Sequence, residues 1–75
     1  MYKYSKIYLY NGNSSWGQML EGMFEDCDWI ARNTGSPANI DNRWSFADTV
    51  VSNGYQRTYT FKHAEDYTAF VLARG

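Results

Sequence analysis

From Trp16 onward the apolar residues fall at Met19, Leu20, Met23, Phe24, Cys27, Ile30 and Ala31. This is the i, i+3, i+4, i+7 spacing of one helix face, sustained over about four turns. Both ends of the pattern are marked. Ser15-Trp16-Gly17-Gln18 has the S-x-x-Q form of a capping box, in which a hydroxyl and an amide satisfy the orphan N–H groups of a helix start. Asn33-Thr34-Gly35 supplies a residue suited to the left-handed conformation at a helix end, and Ser36-Pro37 prevents continuation. With 75 residues in all, a chain that commits this much of its length to one helix has material for a single domain and one core.

The remaining segments predict strands and a second helix. Tyr2 to Tyr10 alternates strictly, with Ser5, Ile7 and Leu9 on one face and Tyr4, Lys6, Tyr8 and Tyr10 on the other, the period of a strand. Asn11-Gly12-Asn13 ends it. Arg43 to Ser52 and Tyr55 to Lys62 are rich in Trp, Phe, Thr, Val and Tyr, and Asn53-Gly54 between them suits a two-residue type I′ hairpin turn. That turn sets Phe46 opposite Phe61 and Asp48 opposite Tyr59 on an aromatic face, with Ala47 opposite Thr60 and Thr49 opposite Thr58 on a polar one. Ala64 to Arg74 places Tyr67, Phe70, Val71 and Leu72 at helical spacing, with Glu65 and Asp66 in the first turn and Arg74 in the last, as the helix dipole favours. The expected fold is α+β, in the order βαββα: a three-stranded antiparallel sheet with both helices on one face, covering Ile7, Leu9, Phe46, Tyr59 and Phe61.

Composition narrows the function classes. Aromatic content of 19% provides for a core, and no apolar run approaches the roughly 20 residues of a membrane span. The start of the chain lacks a signal-peptide layout, and Cys27 is a lone cysteine, which leaves no disulfide within the chain; the expected compartment is the cytoplasm. A net charge of -1 offers no general field for a phosphate backbone.

No constellation supports catalysis, a metal or a cofactor. His63 stands alone without a hydrolase signature and is expected at the start of the last helix. Asp26, Cys27 and Asp28 point about 100° apart around a helix and do not converge on one ion, and Cys27 belongs to the apolar stripe. Asn11 to Ser15 contains one glycine and no Lys, so it reads as a turn and cap rather than a phosphate loop. A non-enzymatic role is expected.

Two surfaces carry surplus aromatic residues. Trp29 lies opposite the apolar stripe on the helical wheel, among Glu25 and Arg32, either as a contact residue or beneath the loop from Thr34 to Asn42. Tyr4, Lys6, Tyr8 and Tyr10 are expected on the outer sheet face beside Thr58, Thr60 and Lys62, where rings interleaved with ammonium groups suit a protein partner, a second copy of the chain or single-stranded nucleic acid. Glu21, Glu25, Asp26 and Asp28 read as a solvated acidic helix face.

The run Tyr59-Thr60-Phe61-Lys62-His63-Ala64-Glu65-Asp66-Tyr67-Thr68-Ala69-Phe70-Val71-Leu72-Ala73-Arg74-Gly75 resembles the ending of short accessory proteins of large tailed bacteriophages, cyanophages among them, which close on an aromatic strand, an acidic helix start and Phe-x-Leu. The resemblance implies a small accessory protein that binds a host or phage protein. It carries over no functional residues, and His63 departs from the usual cap.

Overall fold

The computed structural model describes residues 1–10, 15–40 and 42–75. The elements run β1 (Tyr2–Leu9), α1 (Trp16–Thr34), β2 (Trp44–Val51), β3 (Gly54–Phe61) and α2 (Ala64–Arg74). The sheet is antiparallel in the order β1-β3-β2, and both helices lie on one face, the βαββα arrangement that the sequence pattern predicts. The turn expected over Asn11 to Ser14 lies outside the described residues.

Local chemistry accounts for the helix ends. The Ser15 hydroxyl accepts from the Gln18 N–H at 3.1 Å while the Gln18 amide oxygen accepts from the Ser15 N–H at 2.9 Å, a complete capping box. Gly35 takes φ 73° and donates its N–H to the Ala31 carbonyl, ending α1 with the residue that reaches this conformation without a Cβ penalty. His63 caps α2 without a side-chain bond, and Asp66 in the first turn instead accepts two bonds from Arg43, at 3.0 and 3.3 Å.

The hairpin differs from its predicted register by two residues. Phe46 stands opposite Tyr59, Asp48 opposite Arg57, Ala47 opposite Thr58 and Thr49 opposite Gln56. Because the shift is even, every side chain keeps its face. The connection is Ser52-Asn53, and Gly54 is already part of the central strand, paired with Leu9 on one side and Val51 on the other. A Cβ at Gly54 would collide with the Tyr8 carbonyl. This glycine is required by the close approach of β1, not by a turn. Positive φ among the described residues is confined to Gly35, Asn39 and Asn42, so the connection is not type I′.

The first strand is turned over relative to expectation. Tyr8 is buried, Tyr4 packs against the core, and Ile7 and Leu9 are 57% and 53% exposed on the outer face. Alternation alone does not say which face is inward. The tyrosine rings bring more apolar area than Ile7 and Leu9, and their hydroxyls have buried partners to meet.

Helix α1 is rotated as well. Its buried residues are Met19, Met23, Asp26 and Ile30, a face centred roughly 60° from the stripe read from apolar spacing, at 100° per residue. The rotation buries Asp26, draws Trp29 inward and leaves Phe24 74% exposed. Leu72, expected with the core, is also exposed. The core proper joins Trp44, Tyr59, Phe61 and Phe70 with Ile30 and the two buried methionines.

Candidate functional site

The residues expected on the outer sheet face are mostly interior. The Asp26 carboxylate, 1% exposed, accepts from Lys6 Nζ at 2.8 Å, from the Tyr8 hydroxyl at 2.6 Å and from Arg74 Nε at 2.8 Å. Lys6 also donates to the Arg74 carbonyl at 2.6 Å, which satisfies a terminal carbonyl of α2. The Tyr8 hydroxyl proton is committed to Asp26, so the Tyr59 hydroxyl donates to the Tyr8 oxygen at 2.5 Å. The chain Tyr59 to Tyr8 to Asp26 is complete: no buried side-chain polar atom of the described residues lacks a partner.

Burial would raise the pKa of Asp26, but the bonds from Lys6, Tyr8 and Arg74 outweigh it and hold the carboxyl below its ordinary value. Burial, with the neighbouring carboxylate, pushes Tyr8 far above the ordinary tyrosine value, and burial raises Tyr59 to about 12. These groups are a buried brace between β1, α1 and α2.

Trp29 is partly buried and packs on Phe70, with ring centroids 6.1 Å apart. It packs against α2 rather than standing in the open charged face that the wheel alone suggests. Glu25 reaches Arg74 at 3.5 Å and Arg32 pairs with Asp28 at 2.9 Å, both on the surface. Tyr10 stacks edge-on with Trp16 at the end of β1, at 5.0 Å. The seven residues singled out from sequence therefore form no common surface. Asp26 turns to Lys6, Cys27 to Arg57 and Asp28 to Arg32, three different directions, and the described residues contain no group of three or more His, Cys, Asp or Glu able to hold a metal ion.

What stays open lies on the other flank of α1. Leu20, Met23, Phe24 and Cys27 from the helix, with Phe46 and Arg57 from the sheet, line an apolar groove of about 290 Å³. A second hollow shares Phe24 and Cys27 and continues past Ala31 to Pro37, Ala38 and Trp44. The floor is preorganised. Arg57 makes two bonds to Asp48, at 2.7 and 3.0 Å, lies 4.0 Å over the Phe46 ring, and donates to the Cys27 sulfur at 3.1 Å. Burial works against the charge on Arg57, but Asp48 keeps its pKa above the ordinary value. Burial also pushes the Cys27 thiol up, with Arg57 opposing, the direction that disfavours the thiolate.

Beside this groove runs the free edge of β2. Asn39, at φ 62°, donates its N–H to the Trp44 carbonyl at 3.1 Å and accepts from the Phe46 N–H through its side chain at 3.2 Å. The backbone groups of Trp44 and Phe46 therefore point away from β3, and by alternation so do those of Asp48 and Val50. Asn39 closes the first half of this edge. Among the described residues nothing closes the second half.

Sequence reasoning assigned Phe24 and Cys27 to the core and did not single out Arg57. The available signal was the width of the stripe on α1: apolar residues from Trp29 round to Phe24 exceed the arc one sheet can cover. Compared with protein families, curated proteins and solved structures, the chain matches none of them.

Proposed function

We propose that this chain is a non-enzymatic protein-binding module that takes an extended segment of a partner protein along the open half of β2. In this arrangement the partner strand pairs with Asp48 and Val50, and a side chain beside Phe46 drops into the groove against Phe24. The observation that carries the reading is the juxtaposition of an open strand edge, bounded by Asn39, with an apolar groove whose rim holds a 74% exposed Phe24. Strand addition supplies main-chain bonds for affinity, while an apolar pocket at alternate positions supplies selectivity. The same reading accommodates a cytoplasmic phage accessory protein that captures a host or phage protein.

The single-stranded nucleic-acid alternative draws less support, because Tyr4, Lys6 and Tyr8 lie beneath the helices instead of on an open sheet face.

A random library of extended peptides, displayed and selected on the purified chain, tests the proposal. Selected peptides should alternate apolar and polar residues and shift the resonances of Phe24, Phe46 and the Asp48 and Val50 amides. Val50→Pro removes an outward N–H without touching the β3 ladder and should weaken binding at least tenfold, as should Phe24→Ser. Peptides that bind both variants as tightly as the parent chain would sink the reading, and so would a selection that yields none.

A further inference from the structure

Among the described residues the opposite edge of the sheet has no counterpart to Asn39. Tyr10 donates its N–H to the Asn53 carbonyl at 2.8 Å, so the even-numbered residues of β1 direct their backbone groups toward β3. Lys3, Ser5, Ile7 and Leu9 direct theirs outward. Among the described residues no hydrogen bond meets these outward groups. Their side chains lie on the sheet face that carries no helix, where Ile7 and Leu9 are 57% and 53% exposed. An open strand with unpaired N–H and C=O groups is a template for another strand.

We infer that β1 is the self-association edge of this protein, pairing antiparallel with β1 of a second copy across a two-fold axis at Ile7. The charge pattern selects this occupant. Lys3 is the one charged residue at the outward positions of β1; Lys6 points inward and is held by Asp26 and the Arg74 carbonyl. Antiparallel pairing about Ile7 sends the two Lys3 side chains to opposite ends, eight positions or roughly 27 Å apart at 3.4 Å per residue. It sets Ile7 against its own copy, places each Leu9 diagonal to the partner's Ile7, and gathers four apolar side chains at the centre. Lys6 falls opposite the partner's Tyr8, not opposite another lysine.

The alternative of β1 on the β2 edge of a second copy is disfavoured by the same geometry. Asn39 occupies the outward carbonyl of Trp44 and the outward N–H of Phe46, and a head-to-tail contact propagates into fibres unless its rotation closes a ring. Isologous β1 pairing closes into a six-stranded sheet and leaves the α1–β2 groove free on each copy.

Sedimentation over a concentration series, with amide exchange at both ends of the series, tests the inference. The mass should reach twice that of the chain, and the amides of Ser5, Ile7 and Leu9 should exchange at least tenfold more slowly in the concentrated sample while those of Asp48 and Val50 stay unchanged. Ile7→Lys and Ser5→Pro leave the backbone ladder to β3 intact, the second at the cost of the exposed Ser5–Thr58 hydroxyl bond, and should give single-chain mass with an unaltered near-ultraviolet circular dichroism spectrum. A single-chain mass up to about 1 mM, unprotected Ser5, Ile7 and Leu9 amides in a dimer, a dimer that survives both substitutions, or a mass that grows without limit would each overturn it. The exchange measurement needs no variant and decides the matter even where a substitution impairs folding.

Discussion

The two flanks of α1 use side chains in opposite ways. Toward β1 and α2 the helix presents Asp26 to three donors on those two elements, and among the described residues no buried polar side-chain atom is left over. Toward β2 it presents Leu20, Met23, Phe24 and Cys27 to a groove that no element fills. The first flank is closed by complementarity, and the second stays open among the described residues. In this small domain α1 and α2 pack toward β1 and β3 and leave apolar side chains of α1 facing Phe46 and Arg57 across an unfilled groove.

The contrast is broken most severely at Asp26. Asp26→Ala leaves Lys6, Tyr8 and Arg74 without their shared acceptor and should cost about 3 kcal/mol by chemical denaturation, at the lower end for a broken buried ion pair because Lys6 and Arg74 keep partial access to water. A loss below about 1 kcal/mol would show that the brace is replaceable by solvent.

The same carboxylate gives the acid limb of the stability curve. Its folded pKa lies below the ordinary value, so its contribution is complete above about pH 4, the unfolded value, and is lost as pH falls from there through the folded value. Asp26→Asn should flatten that limb in a pH series of denaturation curves. The alkaline limb has the opposite sense: Tyr59, pushed up to about 12 from 10.0, keeps its proton in the folded state while the unfolded chain loses it, so stability should decline as pH rises between those values. Ultraviolet titration should show Tyr8 and Tyr59 ionising only at the most alkaline end or on unfolding.

A smaller effect is expected at the end of the hydrogen-bond chain. Tyr59→Phe removes the donor to Tyr8 and should cost about 1 kcal/mol, with the ring packing on Phe70 retained. On the open flank, Phe24→Ser should change stability by less than about 0.5 kcal/mol. A loss comparable to that of Asp26→Ala would mean that Phe24 belongs to the core and that the two flanks do not differ.

Element order was fully legible in the sequence because its signals are local. The capping box at Ser15, the left-handed Gly35, the alternation of Tyr2 to Tyr10 and the acidic start of α2 each act within a few residues. The candidate site was legible only in fragments. Phe24 and Cys27 stood out as apolar helix positions, yet their place at the rim of a groove depended on a rotation of α1 that apolar spacing does not encode. Tyr8 and Lys6 stood out as an aromatic and basic stripe, yet their partner is an aspartate 18 and 20 residues away.

The sequence by itself determined the number, kind and order of the elements and the boundaries of α1, since propensity, capping and periodicity are properties of neighbouring residues. Only the tertiary structure decided which face of β1 turns inward, how far α1 rotates about its axis, and that Gly54 serves the approach of β1 rather than a turn. Each of those choices is settled by long-range complementarity. A buried carboxylate needs its donors and a close backbone contact needs a missing Cβ, and these requirements exist only once distant segments meet.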